Sequence, residues 1–315
     1  MSFNDLLLEM KKEERVFIQT HNYPDHDAVA SAFALHYLLS TMRISSTIIY
    51  DGSIQRDSLQ QMIDDLGIDI SHFNTIEMTL KDKIIIVDGC KWNKNVTDLI
   101  GDEVGLIDHH QVTKPDDVPF ADIRSTYGAC STILYEYFLK YKTSIPKDVA
   151  TALIIGINMD TALLTRGVNI KDIEAYANLY SLADIPLQNR ILRNYIQTKD
   201  LSFYKYAIDN IQIEKEVAYC YFPEGCNQNL LAILGDFFLA LEEVEFVILC
   251  AKNNGSINFS VRSERREWNA AIILQQALKG IGFGGGHSDM AGGIIQNADE
   301  FNFFRVKELF TKIVS

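Results

Sequence analysis

The sequence has no excess of basic residues. Across 315 residues, 29 Lys and Arg stand against 42 Asp and Glu, a formal charge of −13. Proteins that grip long nucleic acid through many phosphates usually present a basic surface. The balance therefore argues against a long polynucleotide partner, while leaving room for cations held by carboxylates. Long apolar runs are also missing. The run Ile84 to Val87 is strand-sized, far short of the roughly 20 residues that span a bilayer, so no membrane partner is expected. The opening MSFNDLLLEMKKEE has acids beside its apolar run and no basic start, unlike a signal peptide. The five cysteines, Cys90, Cys130, Cys220, Cys226 and Cys250, form no CxxC pair. An odd, scattered set reads as reduced thiols and a cytoplasmic setting. Cys220 and Cys226 could be neighbours, but small core residues are the simpler reading.

What is present is ordinary for a globular chain, 47% hydrophobic and 23% charged, and long enough for two domains. The first half alternates strand and helix signals. Strand-like runs at 15–20, 44–50, 83–88 and 104–108 are separated by helical patterns at 27–40 and 56–66, the latter stopped by Gly67. This predicts an α/β fold, a parallel sheet with helices on both faces. Helical patterns follow at 129–141, 146–159 and 170–182, and Gly156 is a weak spot inside the second. Strands are expected at 216–222, 245–251 and 256–262, the last entered through the turn Asn253-Asn254-Gly255. A helix at 268–279, a glycine-dense stretch at 280–293 and an amphipathic helix at 303–314 complete the chain. The expected organisation is a catalytic domain at 1–185, a helical connector at 186–202 and a smaller mixed α/β domain at 203–315.

Four groups of metal-capable residues fall at the ends of these elements: His21-Asn22-Tyr23-Pro24-Asp25-His26-Asp27, then Asp88, then Asp108-His109-His110, then Asp160. In open parallel sheets ligands collect outside the carboxyl ends of the strands. One carboxylate at a strand end is commonly a helix cap, and Asp27 before a helix could serve as cap, ligand or both. Four such coincidences are harder to arrange by chance. Crowded acids and imidazoles without a cation would repel one another or change protonation. Mixed imidazole and carboxylate donors suit Mn²⁺ or a similar first-row ion better than Mg²⁺ alone. Two such ions sharing a bridging carboxylate would make a centre for phosphoester hydrolysis.

HNYPDHDAVAS, VDG, IDHH and MDT, in that order, resemble the DHH phosphoesterase superfamily, and the later VRS and FGGGHSDMAGG are similar to its C-terminal DHH-associated domain. The size and the second domain resemble the bacterial branch of nanoRNases and 3′,5′-bisphosphonucleotide (pAp) phosphatases. The resemblance implies one ion held by His21 and Asp25, a second by Asp27, His109 and Asp160, and Asp88 shared by both. It implies that Asp108 orients a histidine and that His110 faces the reacting phosphate. Two Mn²⁺ are the implied cofactors, with Mg²⁺ or Co²⁺ as substitutes. His26 stands where the family usually has glycine, Gly89-Cys90-Lys91-Trp92 replaces a stretch that often carries another aspartate, and Ala162 replaces a glycine.

In the last third, Gly284-Gly285-Gly286-His287 would leave backbone N–H groups bare for an anion. The resemblance assigns Arg262, Ser263, Gly285, Gly286 and His287 to substrate phosphate or terminal nucleotide; Arg166 is a further phosphate candidate. The expected activity is Mn²⁺-dependent hydrolysis, by a water activated between two metals, of short oligoribonucleotides to mononucleotides or of pAp-type nucleotide bisphosphates. Cyclic or linear dinucleotides and polyphosphate stay open as substrates, as does a nucleotide-binding protein without catalysis. A homodimer is compatible with all of these.

Overall fold

The computed structural model describes residues 1–193 and 196–314, which form two compact units, Met1–Tyr195 and Ile196–Ser315. The expected connector at 186–202 includes residues 194 and 195, which lie outside the described residues.

The first unit is built on six parallel strands: β1 (Val16–Gln19), β2 (Ser46–Tyr50), β3 (Ile70–His72), β4 (Lys83–Val87), β5 (Asp102–Asp108) and β6 (Phe120–Ile123). Their spatial order is β3-β2-β1-β4-β5-β6. The chain thus starts in the middle, walks to one edge, then returns and walks to the other. β1 and β4 flank the point where this direction reverses, and crevices at such points are where open sheets bind ligands.

Among the described residues, seven helices belong to this unit: α1 (Phe3–Met10), α2 (His26–Thr41), α3 (Asp57–Leu66), α4 (Cys130–Tyr141), α5 (Lys147–Asp160), α6 (Ile170–Tyr180) and α7 (Ile185–Arg193). They share one apolar cluster with one sheet face, represented by Ile18, Ile48, Ile85 and Ile107. The other face, with Phe17, Ile49, Ile84 and Leu106, is filled by Cys90, Val96, Leu99 and Val118 from irregular segments. The parallel sheet with packed helices is as the alternation predicts, but the helices do not flank both faces. Right-handed crossovers put connections made in opposite directions on opposite faces. Here the second set, residues 88–101 and 109–119, carries no helix. Gln188, Ile191 and Leu192 of α7, in the stretch expected as a connector, are buried in this unit's core.

The second unit starts with α8 (Leu201–Asn210) and holds a mixed sheet of β7 (Gln212–Glu214), β8 (Val217–Phe222), β9 (Phe246–Asn253), β10 (Ser256–Ser263), β11 (Phe283–Gly286) and β12 (Met290–Ile295). Its order is β11-β12-β10-β9-β8-β7, and only the β8–β9 pair is parallel. Helices α8 and α9 (Gln228–Leu239) cover one face, and α10 (Ala270–Ala277) with α11 (Phe303–Val314) the other. Asn254 and Gly255, both at positive φ (+48° and +82°), close the β9–β10 hairpin where the turn signal lay. All five cysteines are free and buried. No helix among the described residues is long and apolar enough to cross a membrane.

Candidate metal centre

The carboxyl ends of β1, β4 and β5 and the end of α5 deliver the four sequence groups to one place. His21 follows β1, Asp88 follows β4, Asp108 ends β5 with His109 and His110 behind it, and Asp160 ends α5. Asp25 caps α2: its Oδ1 accepts from the N–H groups of Asp27 and Ala28 at 3.0 and 3.1 Å. The cap that sequence alone left open at Asp27 therefore belongs to Asp25. Asp27 is fully buried instead, its two oxygens accepting from the Cys130 and Ser131 N–H groups at 2.6 and 2.9 Å. These are first-turn donors of α4, where the helix dipole favours a negative charge. Gly156 makes this junction of α2, α4 and α5 feasible. A Cβ there would lie 2.3 Å from Ser131 Oγ and 2.7 Å from Asp27 Oδ1.

Three sets of donor atoms, each within 4.8 Å of one another, result: His21, Asp25 and Asp88; Asp27, Asp88, His109 and Asp160; and Asp88, His109 and His110. His21 Nε2 lies 3.8 Å from Asp25 and 3.7 Å from Asp88. His109 Nε2 lies 3.3 Å from Asp88, 3.2 Å from Asp160 and 4.0 Å from Asp27. Asp88 belongs to all three sets, and its backbone adopts a left-handed φ of +55°, a conformation uncommon outside glycine.

Backbone carbonyls settle which imidazole nitrogen is available. His21 Nδ1 is 2.9 Å from Asn22 O and His109 Nδ1 is 3.2 Å from Tyr127 O. A carbonyl only accepts, so each Nδ1 carries the hydrogen and each Nε2 points its lone pair at carboxylates. Among the described residues, both oxygens of buried Asp88, and His109 Nε2, have no hydrogen-bond partner. Lone pairs facing carboxylates at these distances need a positive species between them, a proton or a metal ion. The donor sets, four carboxylates and three imidazoles in all, fit divalent first-row cations.

The proton affinities express the same demand. Burial alone would lower His21, but the approach of Asp25 and the charges of Asp25 and Asp88 push its pKa up to about 10. His109 is likewise held well above its ordinary value, against burial, by Asp160 and Asp88. Burial, reinforced by the neighbouring carboxylates, raises Asp27 well above the usual range and Asp160 to about 6. Asp108 is oriented differently. Its Oδ1 accepts from His110 Nδ1 at 2.8 Å and from the His110 N–H at 3.2 Å.

His26 joins none of the donor sets; it is buried with Nε2 3.1 Å from Ser58 Oγ, tying α2 to α3. Arg166 lies half-buried in the turn after Asp160, its N–H donating to Thr161 O at 3.0 Å. Arg262, expected at a substrate phosphate, is only 7% exposed. Its guanidinium donates to Asp236 at 2.6 Å, to Ser260 Oγ at 3.2 Å and to the carbonyls of Val261 and Ala232. It is thus held between β10 and α9. Ser263 is buried and donates to Arg265 O. Gly285 and Gly286 form part of edge strand β11, opposite Gly292 and Ala291, rather than a loop wrapped for an anion. Gly286 is required there, because a Cβ would lie 2.4 Å from Met290 O. His287 is exposed beyond it, and its carbonyl, with that of Ser288, accepts from the first N–H groups of α10. The Tyr127 carbonyl, the α4 amides and the role of Gly156 had no signal in the sequence beyond an unexplained glycine in a helix.

Residues 15–157 match the family model for the N-terminal domain of the DHH family, and residues 214–314 match that of the DHHA1 domain. An uncharacterised protein of Methanocaldococcus jannaschii is 30% identical over 284 residues, 90% of this chain and 58% of that protein. A probable manganese-dependent inorganic pyrophosphatase of Streptococcus equi subsp. equi is 26% identical over 178 residues, 55% of this chain and 57% of that one. The chain thus spans just over half the length of each of these two relatives. Among solved structures, an exopolyphosphatase-related protein from Bacteroides fragilis superposes with a TM-score of 0.80 at 18% identity, covering 98% of this chain and 94% of that one.

Proposed function

The chain belongs to the DHH family and carries a DHHA1 domain behind the DHH domain, and from that premise we propose that it is a metal-dependent phosphoesterase that hydrolyses short oligoribonucleotides to mononucleotides and acts on 3′,5′-bisphosphonucleotides. The observation that carries the reading is the shared carboxylate Asp88, buried with two unpartnered oxygens between imidazole nitrogens aimed at it. In this reading His21 and Asp25 hold one divalent cation, Asp27, His109 and Asp160 hold another, and Asp88 serves both; Mn²⁺ is the preferred ion, with Mg²⁺ or Co²⁺ as substitutes. Bound there, such ions supply Lewis acidity toward a phosphoryl oxygen and lower the pKa of water.

The chain's own residues do the rest. The Asn22 and Tyr127 carbonyls fix the tautomers of His21 and His109. The α4 amides orient Asp27. Asp108 holds His110 through Nδ1, which turns Nε2 of His110 into the atom that exchanges a proton with the leaving oxygen. Arg166, in the turn after Asp160, is the proposed contact to substrate phosphate within the first unit. The acidic total of −13 supports a short substrate over a long strand.

The names of the streptococcal and Bacteroides relatives favour a second reading, hydrolysis of inorganic pyrophosphate or polyphosphate. A panel separates the two. Purified protein with Mn²⁺ is offered two- to five-residue RNAs, pAp, cyclic dinucleotides, pyrophosphate and tripolyphosphate, and products are scored by length. Mononucleotide release supports the proposal. Turnover confined to inorganic phosphates supports the second reading and refutes the first.

A further inference from the structure

Two large aromatic side chains stand exposed on the loops that carry the candidate ligands. Tyr23 lies between His21 and Asp25 and is 54% exposed; Trp92 lies four residues beyond Asp88 and is 67% exposed. Both backbones are left-handed, with φ of +55° and +71°, a rare state for bulky residues. Such conformations persist where the surroundings over-determine them, and they gather at functional sites.

The surroundings are identifiable. The Tyr23 N–H donates to Asp51 O at 2.9 Å, and the ring lies on Gly52, where a Cβ would come within 2.8 Å of Cδ1. The bare Cα of Gly52 therefore backs the ring. Trp92 is backed by Lys91, whose Nζ sits 4.8 Å from the ring centroid and is itself held by Asp117 at 2.6 Å and Glu103 at 2.9 Å. Asp117 belongs to the loop that follows His110, so Trp92 stands between the loops after β4 and β5. The Asn22 N–H donates to Asn95 O at 2.6 Å and its Nδ2 to Thr97 Oγ1 at 2.9 Å, which ties the Tyr23 loop to the Trp92 loop. Among the described residues, neither ring pairs with another aromatic ring.

Each ring is braced by the protein and still largely open to solvent, the arrangement a stacking platform needs. A nucleobase has a π-face that stacks on such a ring; inorganic phosphate has none. We propose that Tyr23 and Trp92 stack nucleobases beside the metal centre and thereby select nucleotides over inorganic phosphates. The proposal rests on the oligonucleotide reading above and names what discriminates within it. Two rings suit one or two bases, which matches a short substrate.

The chain contains two tryptophans, and Trp268 lies against Phe246 and Arg265 in the second unit. Trp268→Phe leaves Trp92 as the sole indole reporter. Mn²⁺-loaded W268F protein is titrated with a two-residue adenosine oligomer joined by a non-hydrolysable methylphosphonate, and with its analogue lacking both bases. Fluorescence change and protection from acrylamide with the base-bearing compound alone are expected. No response, or an equal response to the abasic compound, overturns the proposal. In turnover, Trp92→Ala should narrow the KM preference for a dinucleotide over its abasic analogue by roughly 5- to 100-fold, the range measured for base–aromatic stacking, and Trp92→Phe should restore most of it. An unchanged preference in W92A also overturns it. A clear fluorescence response without dinucleotide turnover would instead sink the hydrolysis reading and leave the platform standing.

Discussion

Gly156→Ala separates packing at the metal centre from ordinary helix energetics, because the two act with opposite signs. In a helix interior, glycine to alanine is stabilising by about 1 kcal/mol. At position 156 the new methyl would sit 2.3 Å from Ser131 Oγ, 2.7 Å from Asp27 Oδ1 and 3.2 Å from Ala30 Cβ. Ser131 Oγ can rotate away. The Asp27 carboxylate cannot move without stretching its bonds to the Cys130 and Ser131 N–H groups. Overpacking costs about 1–3 kcal/mol, and weakening a hydrogen bond to a charged group adds about 1.5 kcal/mol. After the helix gain is subtracted, the substitution should be destabilising by about 1.5–3.5 kcal/mol, a fall in Tm of roughly 3–14 °C for a unit of this size. Mn²⁺ affinity should fall as well, because Asp27 is displaced. Circular-dichroism melts of metal-free protein and calorimetric Mn²⁺ titrations measure the two effects. Adding Ser131→Ala should recover part of the stability, since it removes the closest atom and keeps the backbone donor. A G156A protein as stable as wild type, with unaltered Mn²⁺ affinity, would refute the packing argument.

Further outcomes follow from the same geometry. Asp88→Asn removes the carboxylate shared by the donor sets, so the protein should lose the stabilisation that Mn²⁺ gives; a melt series with and without Mn²⁺ checks this, and turnover should drop by several orders of magnitude. In the metal-free protein His21 has its pKa raised to about 10. Its stabilising contribution is therefore fully present below the ordinary value near 6.5 and is lost as pH rises toward 10. Mn²⁺ displaces that proton, so its affinity should climb with pH by about tenfold per unit for each proton released; a pH-independent affinity between 6 and 8 would contradict this. Gly255→Ala meets no atom within 4 Å but must hold φ at +82°. It should be destabilising by about 1 kcal/mol through backbone strain alone, read as a lower Tm, with Mn²⁺ binding unchanged by calorimetry.

The legible part of this chain is the part where burial writes a pattern. Ile84–Val87 and Val104–Ile107 are continuous apolar runs because their strands are covered on both faces, and the carboxylates that end them mark the sheet's carboxyl edge. Asn254-Gly255 signals its hairpin because two positive φ values demand those residues. Elements without such a demand left no trace. All three residues of β7 are exposed, and β11 is Phe283 followed by glycines whose only message is flexibility. Helix α9 is apolar almost all round, so its period is hidden. The second face of the first sheet is covered by irregular segments such as 90–99, which have no periodicity to read. Within the site, residue types revealed the candidate ligands. The ion pair of Arg262 with Asp236, 26 positions earlier, is visible only in the fold. The supports of the centre are backbone groups, the Asn22 and Tyr127 carbonyls and the α4 amides, which no side-chain pattern encodes.

The proposed activity requires that this cluster hold divalent cations while short oligonucleotides are hydrolysed. The most direct measurement mixes metal-free protein with a two-residue RNA and then adds Mn²⁺, following mononucleotide release by chromatography. No release is expected before Mn²⁺, and sustained release after it. Release without metal, or none from folded protein with Mn²⁺ bound, would contradict it.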